Sequence, residues 1–125
     1  MKNWEKKAME AQKIPSLLLM ERAALAVVEE LLSGKYDLKK ILIACGTGNN
    51  GGDGFAIARL MMQKGYDTHV CLVGAMDKLS VDAKQQLEMY QAISGKFVTD
   101  PAYEEYTVIV DALFGIGCNR EITGI

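Results

Sequence analysis

Apolar positions in this chain change period several times, and each change marks an element. Residues 1 to 12 place Trp4, Ala8 and Ala11 on one face of a short amphipathic helix. Ile14-Pro15-Ser16 breaks it, since Pro15 disfavours helix at Ile14 and Ser16 suits the cap of a new helix. That second helix runs to about Leu32. Leu17, Met20, Ala24, Val27, Val28 and Leu31 form its core stripe, and Gly34 stops it. Ile41 to Cys45 is apolar on both faces, as a buried parallel strand is. A glycine-rich run comes after it. The next helix is expected from Phe55 to Lys64, with Phe55, Ala58, Met61 and Met62 inward and Gly65 at its end. Thr68 to Val73 reads as a second strand closed by Gly74. Ser80 caps a further helix, with Val81, Leu87, Tyr90 and Ile93 toward the sheet and Gly95 at its end. Lys96 to Thr99 is a short extended piece, Tyr106 to Asp111 a third clear strand, and Gly115 to Gly124 a second glycine loop.

Strand, helix, strand, helix, strand is the rhythm of an α/β fold with a parallel sheet and right-handed crossovers. In such sheets ligands sit beyond the carboxyl ends of the strands. Both glycine loops and Asp111 fall at carboxyl ends, so they are expected to face one crevice. Three strands make a thin sheet, and no further element comes after the last loop. The expectation is therefore a fragment of a larger domain, favoured over completion of the sheet by a partner chain.

Composition narrows the function. The 125 residues are one domain at most, and 50% hydrophobic with 24% charged residues is a globular balance. Fourteen Lys and Arg against sixteen Asp and Glu give −2, with pI ≈ 5.4, so no basic field exists to hold nucleic acid. No apolar run approaches a membrane span, and Met1 to Lys7 leads into no secretory core, which makes the cytoplasm the expected location. Cys45, Cys71 and Cys118 are odd in number and form no CxxC pair, which fits unpaired thiols in a reducing compartment. The single histidine, His69, lies in a strand and reads as structural.

The chemistry concentrates in Cys45-Gly46-Thr47-Gly48-Asn49-Asn50-Gly51-Gly52-Asp53-Gly54, with five of the twelve glycines. A strand, a glycine loop and a helix start form an anion-binding design, because glycine allows close approach and free amides at the helix N-terminus favour negative charge. Gly46-x-Gly48-x-x-Gly51 matches the dinucleotide fingerprint, but Gly52-Asp53-Gly54 lengthens the loop and no carboxylate ends the second strand to take a ribose. Asn50 and Asp111 carry hard oxygen donors suited to an alkali or alkaline-earth cation. The plainer readings are left-handed turn geometry for the asparagines and a cap or hydrogen-bonded carboxylate for Asp111.

Gly46 to Gly54 with Ala58-Arg59-Leu60, then Val110-Asp111-Ala112-Leu113-Phe114-Gly115-x-Gly117 with Arg120 and Gly124, and Leu19-Met20-Glu21-Arg22-Ala23 before both, resemble the three motifs of the NAD(P)H-hydrate epimerases, the YjeF N-terminal domain family. The resemblance implies a Rossmann-like, three-layer α/β/α fold, of which residues 1–125 are the N-terminal part without its later strands and helices. It implies epimerisation of the R and S forms of hydrated NADH or NADPH in cofactor repair. A dehydratase, fused or separate, would then use the S form. Carried over by motif, Asn49, Asn50, Gly51, Gly52 and Asp53 would bind the hydrated dinucleotide. Gly115, Ile116, Gly117, Cys118, Asn119, Arg120 and Glu121 would form the second binding loop. Asn50 and Asp111 would hold a potassium ion, and a homodimer is common in such proteins. No residue is assigned as general acid or base. The alternative is a non-catalytic Rossmann-like module that binds a ligand or a protein.

Overall fold

In the computed structural model of the protein, residues 14–113 and 117–119 are described. The helix expected over residues 1 to 12 lies outside them. Helix α1 spans Ile14–Leu31 and so begins before Ser16, with Pro15 in its first turn. Proline is tolerated there because the first amides of a helix have no intrahelical partner. Ser16 lies inside the helix, and its hydroxyl donates to Asp82 Oδ2 at 2.8 Å. Met20, Ala24, Val28 and Leu31 are buried along the expected stripe. Gly34 comes next at φ +97°, the left-handed stop that glycine adopts without strain.

The strands are β1 (Ile41–Cys45), β2 (Thr68–Leu72), β3 (Lys96–Phe97), β4 (Val108–Ala112) and β5 (Gly117–Asn119), in the order β3-β2-β1-β4-β5. Pairings among β1 to β4 are parallel, and β5 runs antiparallel to β4. The sheet is thus wider than the three strands expected. The short piece at 96–97 adds one edge. Residues 117–119 add the other, where a loop was expected.

Helices α2 (Asn49–Gln63) and α3 (Val81–Ala92) connect β1 to β2 and β2 to β3. Both steps move toward the same edge, so right-handed crossovers put both helices on one face. β4 returns to the other side of β1, and its connection crosses the opposite face. Val98 and Tyr106 from that connection pack there with Leu42, Cys71 and Ile109. The larger core lies on the helical face, where α2 is buried on nearly all sides, with Phe55, Ala56, Ile57, Ala58 and Met61 fully enclosed. On α3 the buried stripe is Ala83, Gln86, Leu87 and Tyr90. Val81, expected inward, is 80% exposed. It shares a face with exposed Lys84 and Glu88 at helical spacing, and Ile93 is only half-buried at the helix end. Among the described residues no helix is long and apolar enough to cross a membrane.

The strand order reverses between β1 and β4. That reversal opens a crevice at the carboxyl ends of these two strands, the place where open α/β sheets take ligands.

Candidate functional site

The turns after β1 and β4 touch. Gly46 N–H donates to Ala112 O at 3.1 Å, and a Cβ on Gly46 would lie 2.9 Å from Leu113 O. Gly46, which opens the first loop, therefore meets the end of β4 at the point of reversal; of the second loop expected over 115–124, only residues 117–119 are described.

Helix α2 starts at Asn49, six residues before Phe55, so most of the expected loop is helix. Glycine is a poor helix former, which is why the run reads as loop in sequence. Its glycines serve contact instead. Successive helix positions turn by about 100°, so the glycines face different neighbours. A Cβ on Gly51 would fall 1.8 Å from Gly46 O, one on Gly52 would meet Met20 of α1 and lie 3.1 Å from Ala83 Cα of α3, and one on Gly54 would lie 2.6 Å from Cys45 Sγ and 2.8 Å from Ala112 Cβ. Positive φ among glycines occurs at Gly34, Gly65 and Gly74, and not within this run. Left-handed turn geometry, the plainer reading of Asn49 and Asn50, is not found, since both are helical; the glycines of the run serve space, which only a missing side chain gives.

With Gly48 as N-cap, the amides of Asn49, Asn50 and Gly51 have no intrahelical acceptor. No acidic residue lies in the first turn, so the positive end of the helix dipole is not offset there. A helix end of this kind favours an anion.

The side chains of the Asn-Asn-Gly-Gly-Asp run divide around the helix. Asn50 precedes Gly54 by one turn, on the stripe that meets Cys45 and Ala112, above the crevice. Asn49 and Asp53 share the next stripe. They line a cleft of about 240 Å³ with Ser16 and Met20 of α1 and Asp82 of α3. Asn49 Oδ1 accepts from the Ser80 hydroxyl at 2.8 Å. Burial pushes the Asp53 carboxyl up to about 6. Glu21 and Arg59, from the N-terminal motif and the helix motif, form an ion pair that ties α1 to α2.

Asp111 is half-buried near the end of β4 and accepts from Leu113 N–H at 3.0 Å. It shares strand parity with Ile109, so it rises on the face opposite α2 and reaches the crest of β4 beside Ala44. One carboxylate, from Asp111, and one amide oxygen, from Asn50, would make a donor set of low charge, which suits a monovalent cation better than a divalent one. Among the described residues, no three His, Cys, Asp or Glu side chains gather as a metal cluster.

Of the second motif, Gly117, Cys118 and Asn119 stand opposite Asp111, Val110 and Ile109 in the β4–β5 ladder. Gly115, Ile116, Arg120 and Glu121 lie outside the described residues. His69 is remote from the crevice. Its Nδ1 lies 2.7 Å from the Tyr106 hydroxyl and its Nε2 lies 3.1 Å from Asp67 Oδ1, toward the amino end of the sheet. Cys45 and Cys71 are free thiols, and loss of hydration pushes both pKa values up. The contact that sequence reasoning missed is Ser80 to Asn49. The cap role of Ser80 was legible, but nothing in the pattern shows that its hydroxyl also reaches across 31 positions.

Residues 16–125 match the family described as YjeF-related protein N-terminus. The chain belongs to this family. An NAD(P)H-hydrate epimerase of Oenococcus oeni is 44% identical over 113 residues, covering 89% of this chain and 54% of that protein. A bifunctional NAD(P)H-hydrate repair enzyme, Nnr, of Moorella thermoacetica is 37% identical over 125 residues, covering 90% of this chain and 24% of that protein. The crystal structure of yeast ynu0, YNL200c, superposes with a TM-score of 0.63 at 28% identity, covering 78% of this chain and 46% of that one. The chain spans about half the length of the epimerases it matches. The YjeF-related region takes in the α1 motif, the glycine helix and the β4–β5 corner together.

Proposed function

We propose that the protein carrying this chain epimerises the R and S forms of hydrated NADH and NADPH. The observation that supports this most is the meeting of two motif-bearing turns at the sheet's point of reversal, with Gly46 N–H on Ala112 O at 3.1 Å. It supports a shared crevice for the N-terminus of α2 and the Asp111 to Leu113 end of β4. Relatives named NAD(P)H-hydrate epimerase, at 44% and 46% identity, support this substrate class.

In this reading the first-turn amides of α2 take a phosphate of the dinucleotide. Gly51 and Gly52 bring the backbone close, and Asn49, Asn50 and Asp53 offer polar contacts. Residues Gly115 to Glu121 would supply the second binding loop. Asn50 and Asp111 would hold a potassium ion, whose charge would offset that of the bound phosphate. The S form would pass to a dehydratase, fused or separate; the bifunctional relative supports the fused arrangement. A soluble repair enzyme of this kind would work in the cytoplasm, as a homodimer.

The test is conversion. Full-length protein, given purified R-form hydrated NADPH in potassium buffer, is expected to bring it to the R and S mixture, monitored by chromatography. Persistence of pure R form, under conditions where an established epimerase converts it, would overturn the reading.

A further inference from the structure

The Ser80 side chain makes two contacts at once. Its Oγ accepts from Ala83 N–H at 3.2 Å, which caps α3, and donates to Asn49 Oδ1 at 2.8 Å. Its backbone N–H donates to Thr47 O at 2.9 Å, which ties the turn after β1 to the start of α3. A hydroxyl has one proton. With the Ala83 amide taking a lone pair, that proton needs an acceptor, and the Asn49 amide supplies one only through its oxygen.

We infer that Ser80 is a positioning residue: it fixes the Asn49 amide with its oxygen toward α3, so that its –NH2 group faces the substrate. This rests on the dinucleotide reading above. Asn49 opens α2, beside amides that lack intrahelical acceptors. An –NH2 held there adds two donors to the same anion-favouring end. A dinucleotide presents acceptors to it, the phosphate and ribose oxygens. An asparagine free to rotate would offer oxygen and nitrogen equally and would repel those acceptors in half its orientations. Ser80 thus contributes to binding from outside the glycine motif.

The test measures KM and kcat of full-length protein with hydrated NADPH. Ser80→Gly removes the hydroxyl without adding charge and costs the helix cap only a few tenths of a kcal/mol. It is expected to raise KM roughly fivefold, the scale of one neutral hydrogen bond, with kcat little changed. Ser80→Thr, which keeps cap and proton, is expected to restore the wild-type KM. In an Asn49→Ala background, Ser80→Gly is expected to raise KM no further, because the contact it acts through is gone. An unchanged KM in Ser80→Gly would overturn the inference alone. So would the same fivefold rise in the Asn49→Ala background, since Ser80 would then act by another route. No conversion by the unmutated protein would overturn the proposed function and this inference with it.

Discussion

At the amino end of the sheet, polar groups are spent on one another. His69 bridges Tyr106 and Asp67, Lys96 reaches Asp67 at 3.4 Å, and Lys40 reaches Glu105 at 3.0 Å while lying 5.1 Å from the Tyr106 ring centroid. The cleft there, about 480 Å³, is twice the size of the one beside Asn49 and Asp53. At the carboxyl end the arrangement is the reverse. The first amides of α2 lack intrahelical acceptors, Asp53 is shifted by burial alone, and Asp111 gives one oxygen to Leu113 N–H. Cleft size therefore misleads here. The amino end has tied its groups into a clasp between β2 and the segment entering β4.

The largest break in this contrast is expected at Gly51. Gly51→Ala would set a Cβ 1.8 Å from Gly46 O, a backbone atom that cannot swing aside. Loss of about 3 kcal/mol or more of stability is expected by denaturant unfolding. Gly48→Ala, where a Cβ meets nothing within 4 Å, should cost under about 1 kcal/mol. Equal costs would contradict the claim that the run is shaped by contact.

Next in size are two substitutions that separate the ends of the sheet. Asp111→Asn keeps an acceptor for Leu113 N–H but removes the charge. It should lower kcat/KM by roughly 10- to 100-fold with little change in melting, the scale of one charge-assisted contact. His69→Ala should do the opposite: about 1–2 kcal/mol of stability lost and KM unchanged in the folded fraction. A drop in activity from His69→Ala at constant stability would bring the amino-end cleft into the mechanism.

The smallest effect is on pH dependence. Burial raises the Asp53 carboxyl from 3.8 to about 6, so the folded state binds that proton more tightly than the unfolded chain. Its contribution makes stability fall as pH rises between about 4 and 6, with the full cost present above that window. Asp53→Asn should flatten this stretch of the profile and stabilise the protein at pH 7 by about 1 kcal/mol, after discounting for the solvent that still reaches a half-buried carboxyl.

Much of the framework was legible because its signals are periodic. The β1 run from Ile41 to Cys45, the α1 stripe and the left-handed stops at Gly34, Gly65 and Gly74 all obey local rules. The start of α2 was not, because helix propensity at Gly51, Gly52 and Gly54 opposes what packing requires, and packing wins where Cys45, Ala112, Met20 and Ala83 crowd in. Val81 misled because an apolar residue beside a cap looks inward until the 83-87-90 stripe is seen to set the face. β5 is three residues long, too short for alternation to register. For the site, sequence placed Asp111 and the glycine run at one end of the sheet. It could not show that Asn49 and Asn50, adjacent in the chain, serve different stripes of one helix.

The most direct measurement is backbone amide shift mapping of the full-length protein with hydrated NADPH. The account predicts that shifts gather at Gly46 to Asp53 and at Asp111 to Leu113, with Lys40, His69 and Tyr106 unmoved. Shifts centred on Lys40, His69 and Tyr106, with the glycine run silent, would contradict it.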